Sequence, residues 1–319
     1  MKDMQMCKAI AVDFGGTSIK IGVTRGAELL DKAEPLPTQE YDSPESIIEA
    51  MCGSIRGLLL RHPDAVAVGL GMPGWVHFEA GVLYQLTNVP VWNHEVPVRE
   101  VMQRELGLPV VLDNDANCMA YAEWKLGAGR GLQNIVCLTL GTGIGGGIVV
   151  HDRMLRGRCV SAAELGQTSI CYNGRVGPFG NRGAVEEYIG NNEMAADAVA
   201  RYAAAGIART PEECTPYRLE LAARAGDAIA QQVYLDFAEK LGCLVMNMMY
   251  TLAPDAFIIG GGVAKAGDLL FSPLEQRLRE QLFPVHYANL RLLPAHFGAD
   301  AGIIGAGLMA ADYAAGRLQ

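Results

Sequence analysis

The chain has 319 residues, of which half are hydrophobic and 19% charged, with a net charge of −9. That balance calls for a packed core and excludes a disordered chain. The negative charge excludes a general polyanion binder but leaves room for phosphates held by glycine loops or helix N-termini.

From the N-terminus, residues 1–14 lack the apolar core of a signal peptide. Residues 8–14 (KAIAVDF) read as a strand, DFGGTSIK as a glycine turn, IKIGVT as a returning strand, and ELLDKAEPL as a third. Ser43, Pro44 and Glu45 open a helix. Its apolar face is Ile47, Ile48, Met51, Ile55, Leu58 and Leu59, and Pro63 ends it. Residues 66–70 form a buried strand ending at GMPGW, and residues 97–106 a helix. LPVVL (108–112) is a short β-branched strand running into LDNDA (112–116), and a helix follows to residue 126.

The pattern then restarts. A strand at 134–140, the turn GTGIGGG and the strand IVVH repeat the opening unit about 125 residues on. Residues 135–150 carry no charge but are broken by five glycines, which fits strand, turn, strand rather than a membrane span. Residues 152–191 are irregular. Helices are predicted at 192–205 and, broken near Gly226, at 218–251. A strand at 255–260 enters GGGV, a helix covers 274–282, a strand 290–294 and a closing helix 301–314. This alternation is of α/β type. Eight dispersed cysteines (Cys7, Cys52, Cys118, Cys137, Cys159, Cys171, Cys214, Cys243) include no CxxC pair and read as reduced thiols of a cytoplasmic protein.

Four stretches carry chemistry. LDNDA places Asp113 and Asp115 around an amide where an apolar strand ends, the position at which open α/β sheets hold their reacting groups. Either acid could instead cap the following helix. DFGGTSIK combines an acid, glycines, a hydroxyl and a cation. Its backbone N–H groups can nest a phosphate and Asp13 can reach Mg²⁺ through water, although a plain hairpin turn also fits. Residues 141–147 hold five glycines in seven positions, a cost in backbone entropy that suits close approach to a ligand. No GK[ST] follows, so this is not a Walker A loop. GGGV (260–263) fits a helix N-terminus against a nucleotide. Transfer of a phosphoryl group to a hydroxyl needs a proton acceptor, and Asp115 or Asp113 is available.

The six histidines show no metal spacing and read as structural or surface residues. Trp75 and Trp92 suit either a sugar-stacking wall or core packing. Met246, Met248 and Met249 suit core or an oligomer contact.

In this order DFGGTSIK, LDNDAN, LGTGIGGGIV, AELG, EEYIG and IIGGGV resemble the ROK family of sugar kinases, over residues 8–311. The resemblance implies a two-domain actin-like ATPase (ribonuclease H-like) α/β fold with the active site in the interdomain cleft. The domains are expected at 1–118, with helix 301–317 packed on it, and at 119–300. It implies ATP-dependent phosphorylation of a hexose 6-hydroxyl, with glucose the foremost acceptor and N-acetylmannosamine, N-acetylglucosamine, mannose, fructose and allose as alternatives. By motif position Asp115 resembles the catalytic base, leaving Asp113 structural. Asn114, Glu164 and Glu186 resemble sugar ligands, with Gly74, Thr87 and Asn88 on the sugar rim. Asp13, Gly15, Gly16, Thr17, Lys20, Gly141, Thr142 and Gly143 resemble the phosphate and Mg²⁺ site, and Gly261 and Gly262 the nucleoside side. A cytoplasmic homodimer without nucleic-acid or membrane partners is implied.

One departure stands out. Many family members bind structural zinc through ELGH and CxCGxxGCxE; here the matching ligand positions are Gln167, Gly177, Phe179 and Ala184. No zinc is therefore expected. Phe179 is the expected packing anchor of the loop at 168–182, and Gln167 can hydrogen-bond the sugar in place of the family's histidine. The family also contains sugar-responsive repressors with an N-terminal helix-turn-helix. A first strand at Lys8 and the acidic charge disfavour that reading.

Overall fold

The computed structural model describes residues 7–86, 89–158 and 162–318. In chain order the strands and helices are β1 (Lys8–Phe14), β2 (Ser18–Arg25), β3 (Glu28–Lys32), β4 (Leu36–Pro37), α1 (Pro44–Arg61), β5 (Val68–Met72), β6 (Val76–His77), β7 (Val82–Leu83), α2 (Val98–Leu106), β8 (Val110–Asn114) and α3 (Asp115–Lys125). Then follow β9 (Ile135–Leu140), β10 (Ile144–Val150), β11 (Arg153–Met154), α4 (Glu186–Ile189), α5 (Asn191–Ala204), α6 (Pro216–Arg224), α7 (Ala228–Leu252), β12 (Ala256–Gly261), α8 (Asp268–Gln281), α9 (Pro284–Ala288), β13 (Leu292–Pro294) and α10 (Ala301–Ala314). Among the described residues no helix is long and apolar enough to cross a membrane.

The predicted repeat is visible in the topology. One sheet has the order β3-β2-β1-β5-β8 and the other β11-β10-β9-β12-β13, so a hairpin flanked by parallel strands occurs in each. Local chemistry sets the ends. Ser43 and Ser46 form a reciprocal capping box that starts α1 after its extended N-cap. Gly226, at φ 94°, breaks the 218–251 run, and the Asp227 carboxylate then caps α7 through Ile229 and Ala230 N–H. Trp92 is fully buried, edge-on to Phe14 with ring centroids 6.0 Å apart, so it belongs to the core.

Parallel pairing of β1, β5 and β8 fixes the register that matters most. Asp13 lies opposite Gly71, and Gly71 opposite Asp113, so the carboxyl ends of three strands share one edge. The Ala/Gly-rich α10 packs close over them. A Cβ at Gly69 would run into the Ala306 carbonyl, one at Gly305 into the Cys118 carbonyl, and one at Gly307 into the Thr24 hydroxyl. Gly305→Val is therefore expected to cost roughly 1–3 kcal/mol or more, because the obstacle is backbone that cannot turn aside. Urea unfolding would show this as a lower midpoint, and an unchanged midpoint would contradict the packing.

The chain divides into two compact units: Met1–Gly131, Gly147–Ala163 and Ala299–Gln319 in the first, Leu132–Gly146 and Glu164–Gly298 in the second. The expected boundary at 118/119 is thus corrected, since α3 lies whole in the first unit. The reason is its packing on α10: besides the Gly305 approach, Tyr121 Oη donates to Asp312 Oδ2 at 2.5 Å. A second correction concerns GGGV, which does not begin an α-helix. A short 3-10 turn, Val263–Ala266, follows it, and α8 starts only after Gly267.

Candidate active site

In the first unit the LDNDA stretch turns from β8 into α3. The cap of α3 is Asn114, not either acid. Its Oδ1 accepts from Ala116 N at 2.9 Å and Asn117 N at 3.4 Å, and its Nδ2 donates to the Gly74 carbonyl at 3.2 Å. The two carboxylates are released for different work. Asp113 is almost wholly buried. Its Oδ1 accepts from Asn117 Nδ2 and Asn114 N, both at 2.8 Å, and its Oδ2 accepts from Arg156 Nε at 2.7 Å. The Arg156 guanidinium lies 3.9 Å from the Phe78 ring centroid and touches Met309. This acid is fully committed to structure.

Asp115 is only partly covered, and its Oδ1 accepts from Ala116 N at 2.8 Å. Loss of hydration pushes its carboxyl up to about 6; the Ala116 N–H works against this, and the nearby negative charge of Asp13 adds to it. A carboxyl titrating near neutrality at a strand end is suited to accept a proton at physiological pH. Asp13 itself pairs across the β1/β2 ladder with Lys20, Nζ to Oδ2 at 3.3 Å. Its other oxygen lies against Gly302 in the first turn of α10, where the helix dipole favours an anion. The turn at Gly15–Gly16–Thr17 is strapped from outside. Thr38 Oγ1 donates to the Gly15 carbonyl at 2.8 Å and Gln39 Nε2 to the Gly16 carbonyl at 3.1 Å. Gly15 N closes the turn on Ser18 O at 3.0 Å.

In the second unit the glycine turn after β9 meets Glu186. Its Oε2 accepts from Ile144 N at 3.0 Å, and its Oε1 from Gln167 Nε2 at 3.0 Å. A side chain at Gly143 would collide with that carboxylate, and one at Gly166 with the Ile144 carbonyl beside it. Gly141 O accepts from Asn191 N at 2.9 Å, tying the turn to the start of α5. Gly261 has φ 92° and lies so close to the Leu140 backbone that only glycine fits. Glu164 sits just before the 3-10 turn Leu165–Gln167.

A family model for the ROK family matches residues 9–313. The chain belongs to the ROK family. A glucokinase from Streptomyces coelicolor is 33% identical, over 95% of this chain and 97% of that one. Among solved structures, a ROK glucokinase from Streptomyces griseus in complex with glucose and AMPPNP has a TM-score of 0.78 and 31% identity, covering 95% of this chain and 99% of that chain. A ROK hexokinase from Thermus thermophilus has a TM-score of 0.78 and 30% identity, covering 95% and 97%.

Within this ROK chain the predicted site residues form two groups. Asp13, Gly15, Gly16, Thr17, Lys20, Gly74, Asn114 and Asp115 belong to the first unit. Gly141, Thr142, Gly143, Glu164, Gln167, Glu186, Gly261 and Gly262 belong to the second. Thr87, Asn88 and Cys159 lie outside the described residues.

One expectation fails. Phe179 is half exposed and does not anchor the loop at 168–182 as a core residue would. Backbone pairing orders that loop instead: Ile170 N to Gly183 O at 2.8 Å, Gly183 N to Arg175 O at 2.7 Å, Gly177 N to Asn181 O at 2.8 Å and Val185 N to Thr168 O at 2.9 Å. Arg175 lies over the Tyr188 ring, 4.9 Å from its centroid, and its backbone N–H donates to Tyr188 Oη at 2.8 Å. Two residues escaped the sequence reading: Arg156, the partner of Asp113, and Asn181, the partner of Gln167. A lone Arg in a glycine-rich stretch carries no periodic signal. Asn181 lies in the run Gly180–Gly183 that persists between the lost zinc positions, but a motif position names no partner for its side chain.

Proposed function

We propose that the chain is an ATP-dependent hexose kinase that phosphorylates the 6-hydroxyl of glucose, with Asp115 as general base. The observation that carries this reading is the division of labour in LDNDA. Asn114 caps the helix and Asp113 is locked to Arg156, so Asp115 alone is left near the strand end with a carboxyl poised at about 6. The glucokinase relatives support glucose as the acceptor.

Asp115 takes the proton from the sugar hydroxyl as the oxygen attacks the γ-phosphorus, and the helix N-terminus behind it steadies the charged form beforehand. Glu186, with one protein donor on each oxygen, keeps acceptor capacity for sugar hydroxyls. Gly15, Gly16, Thr17, Thr142 and Gly143 are assigned to the ATP phosphates, and Gly261 and Gly262 to the nucleoside. The Asp13 carboxylate is a hard oxygen donor, partly accessible at the strand edge, and fits Mg²⁺ directly or through water. When bound, that ion offsets charge on the phosphates.

The residues at 167, 177, 179 and 184 supply neither thiolate nor imidazole, which supports a loop without structural zinc. The exposed rings of Tyr250 and Phe283, packed edge-on, support a homodimer contact, and the described cysteines, all free, support a cytoplasmic location.

Phosphorus NMR of the product made from glucose and ATP tests the reading; a phosphate ester at the C6 oxygen is expected, and an ester elsewhere or none contradicts it. The pH profile adds a second check. The base works only when ionised, so kcat/KM for the sugar should rise with pH and reach half its plateau near pH 6. An ordinary Asp would place that midpoint near 4, and finding it there would contradict the assignment.

A further inference from the structure

Glu186 owes its aim to a relay of two amides. Gln167 Nε2 donates to Glu186 Oε1 at 3.0 Å. Asn181 Nδ2 in turn donates to the main-chain oxygen of Gln167 at 3.1 Å and to its Oε1 at 3.3 Å. A glutamine amide has a donor end and an acceptor end of nearly equal shape. Turned over, Gln167 would set its oxygen against a carboxylate oxygen and push Glu186 away. Asn181 prevents this by presenting a donor that only the oxygen end of Gln167 can meet.

Asn181 is itself held. Its carbonyl accepts from Gly177 N at 2.8 Å, within a turn that also closes Gly180 N on Gly177 O at 3.0 Å. Its Oδ1 is buried and has no protein partner among the described residues. A Cβ at position 177 would come within 2.7 Å of that oxygen, so glycine there makes room for the side chain.

We propose that Asn181 is a positioning residue for sugar binding: it fixes the orientation of the Gln167 amide, which fixes the Glu186 carboxylate as an acceptor for the hydroxyls of a neutral hexose. Gln167 then acts through Glu186 rather than as a sugar ligand in its own right. This rests on the hexose-kinase reading and deepens it.

The test is a double-mutant cycle read by calorimetric titration with glucose and by steady-state kinetics. Asn181→Ala should raise the Kd and KM for glucose about tenfold, the equivalent of one misplaced hydrogen bond. Turnover at saturating glucose and KM for ATP should stay within about twofold. In a Gln167→Leu background no amide is left to orient, so Asn181→Ala should change glucose affinity no further. A role confined to holding the loop would instead act in both backgrounds. Asn181→Ser, which keeps a small polar side chain, serves if the alanine variant does not fold. Unchanged glucose affinity in Asn181→Ala, or an equal loss in the Gln167→Leu background, overturns the relay while leaving the kinase reading intact. If the unaltered protein neither binds nor phosphorylates any hexose, both fall together.

Discussion

Replacing Asp115 by asparagine is expected to lower hexose phosphorylation by roughly two to four orders of magnitude, the usual worth of a general base. The amide keeps the shape and can still accept from Ala116 N, so α3 and the sugar pocket should survive. It cannot take the proton. Glucose affinity measured by titration should therefore change little while kcat collapses. A second effect has the opposite sign. The folded-state pKa of about 6 lies above the ordinary value near 4, so the native protein holds this proton more tightly than the unfolded chain. The cost to stability is absent well below pH 4, grows between about pH 4 and pH 6, and is constant above that. Asp115→Asn should thus melt higher than the unaltered protein at pH 7.5, and the gap should vanish at about pH 3. Calorimetric scans at the two pH values check this, and a variant that is both active and no more stable would contradict the role.

The second large effect is on stability alone. The Asp113 side chain is 2% exposed and that of Arg156 10% exposed, so their ion pair is nearly dry. Arg156→Met leaves a buried carboxylate without its counter-charge, which costs about 3–5 kcal/mol. Adding Asp113→Asn removes the stranded charge, while an amide at 113 can still meet the Asn117 and Asn114 donors. The double variant should therefore be more stable than Arg156→Met by itself. Urea unfolding of the two single variants and the double gives the coupling energy directly, and simple additivity would contradict the pairing.

These two acids show what a sequence makes legible. The strand, the helix and the turn between them follow from spacing, and so did the choice between capping and catalysis as an open question. Which residue does what depended on Asn114 taking the cap and on an arginine 43 residues away taking Asp113. Neither the pairing nor the burial that follows from it has a local signature. The same limit explains the misplaced boundary at 118/119, because the contact that keeps α3 in the first unit comes from Gly305, near the chain's end. It also explains Phe179. Loss of zinc ligands suggested an apolar substitute, whereas the loop is ordered by backbone pairing around glycines such as Gly183, whose φ of 72° and close approach to the Cys171 carbonyl leave no room for a side chain. The glycine clusters, by contrast, were readable because close approach leaves few alternatives to glycine. The exception is the start of α8, where Gly267 and an intervening 3-10 turn separate the cluster from the helix.

The most direct test is coupled ADP release with ATP and Mg²⁺ over glucose, mannose, fructose, allose, N-acetylglucosamine and N-acetylmannosamine, run in parallel on Asp115→Asn. The expected result is hexose-dependent ADP formation, fastest with glucose and lost in the variant. ADP release that no hexose raises, or that the variant retains, would contradict a hexose kinase working through Asp115.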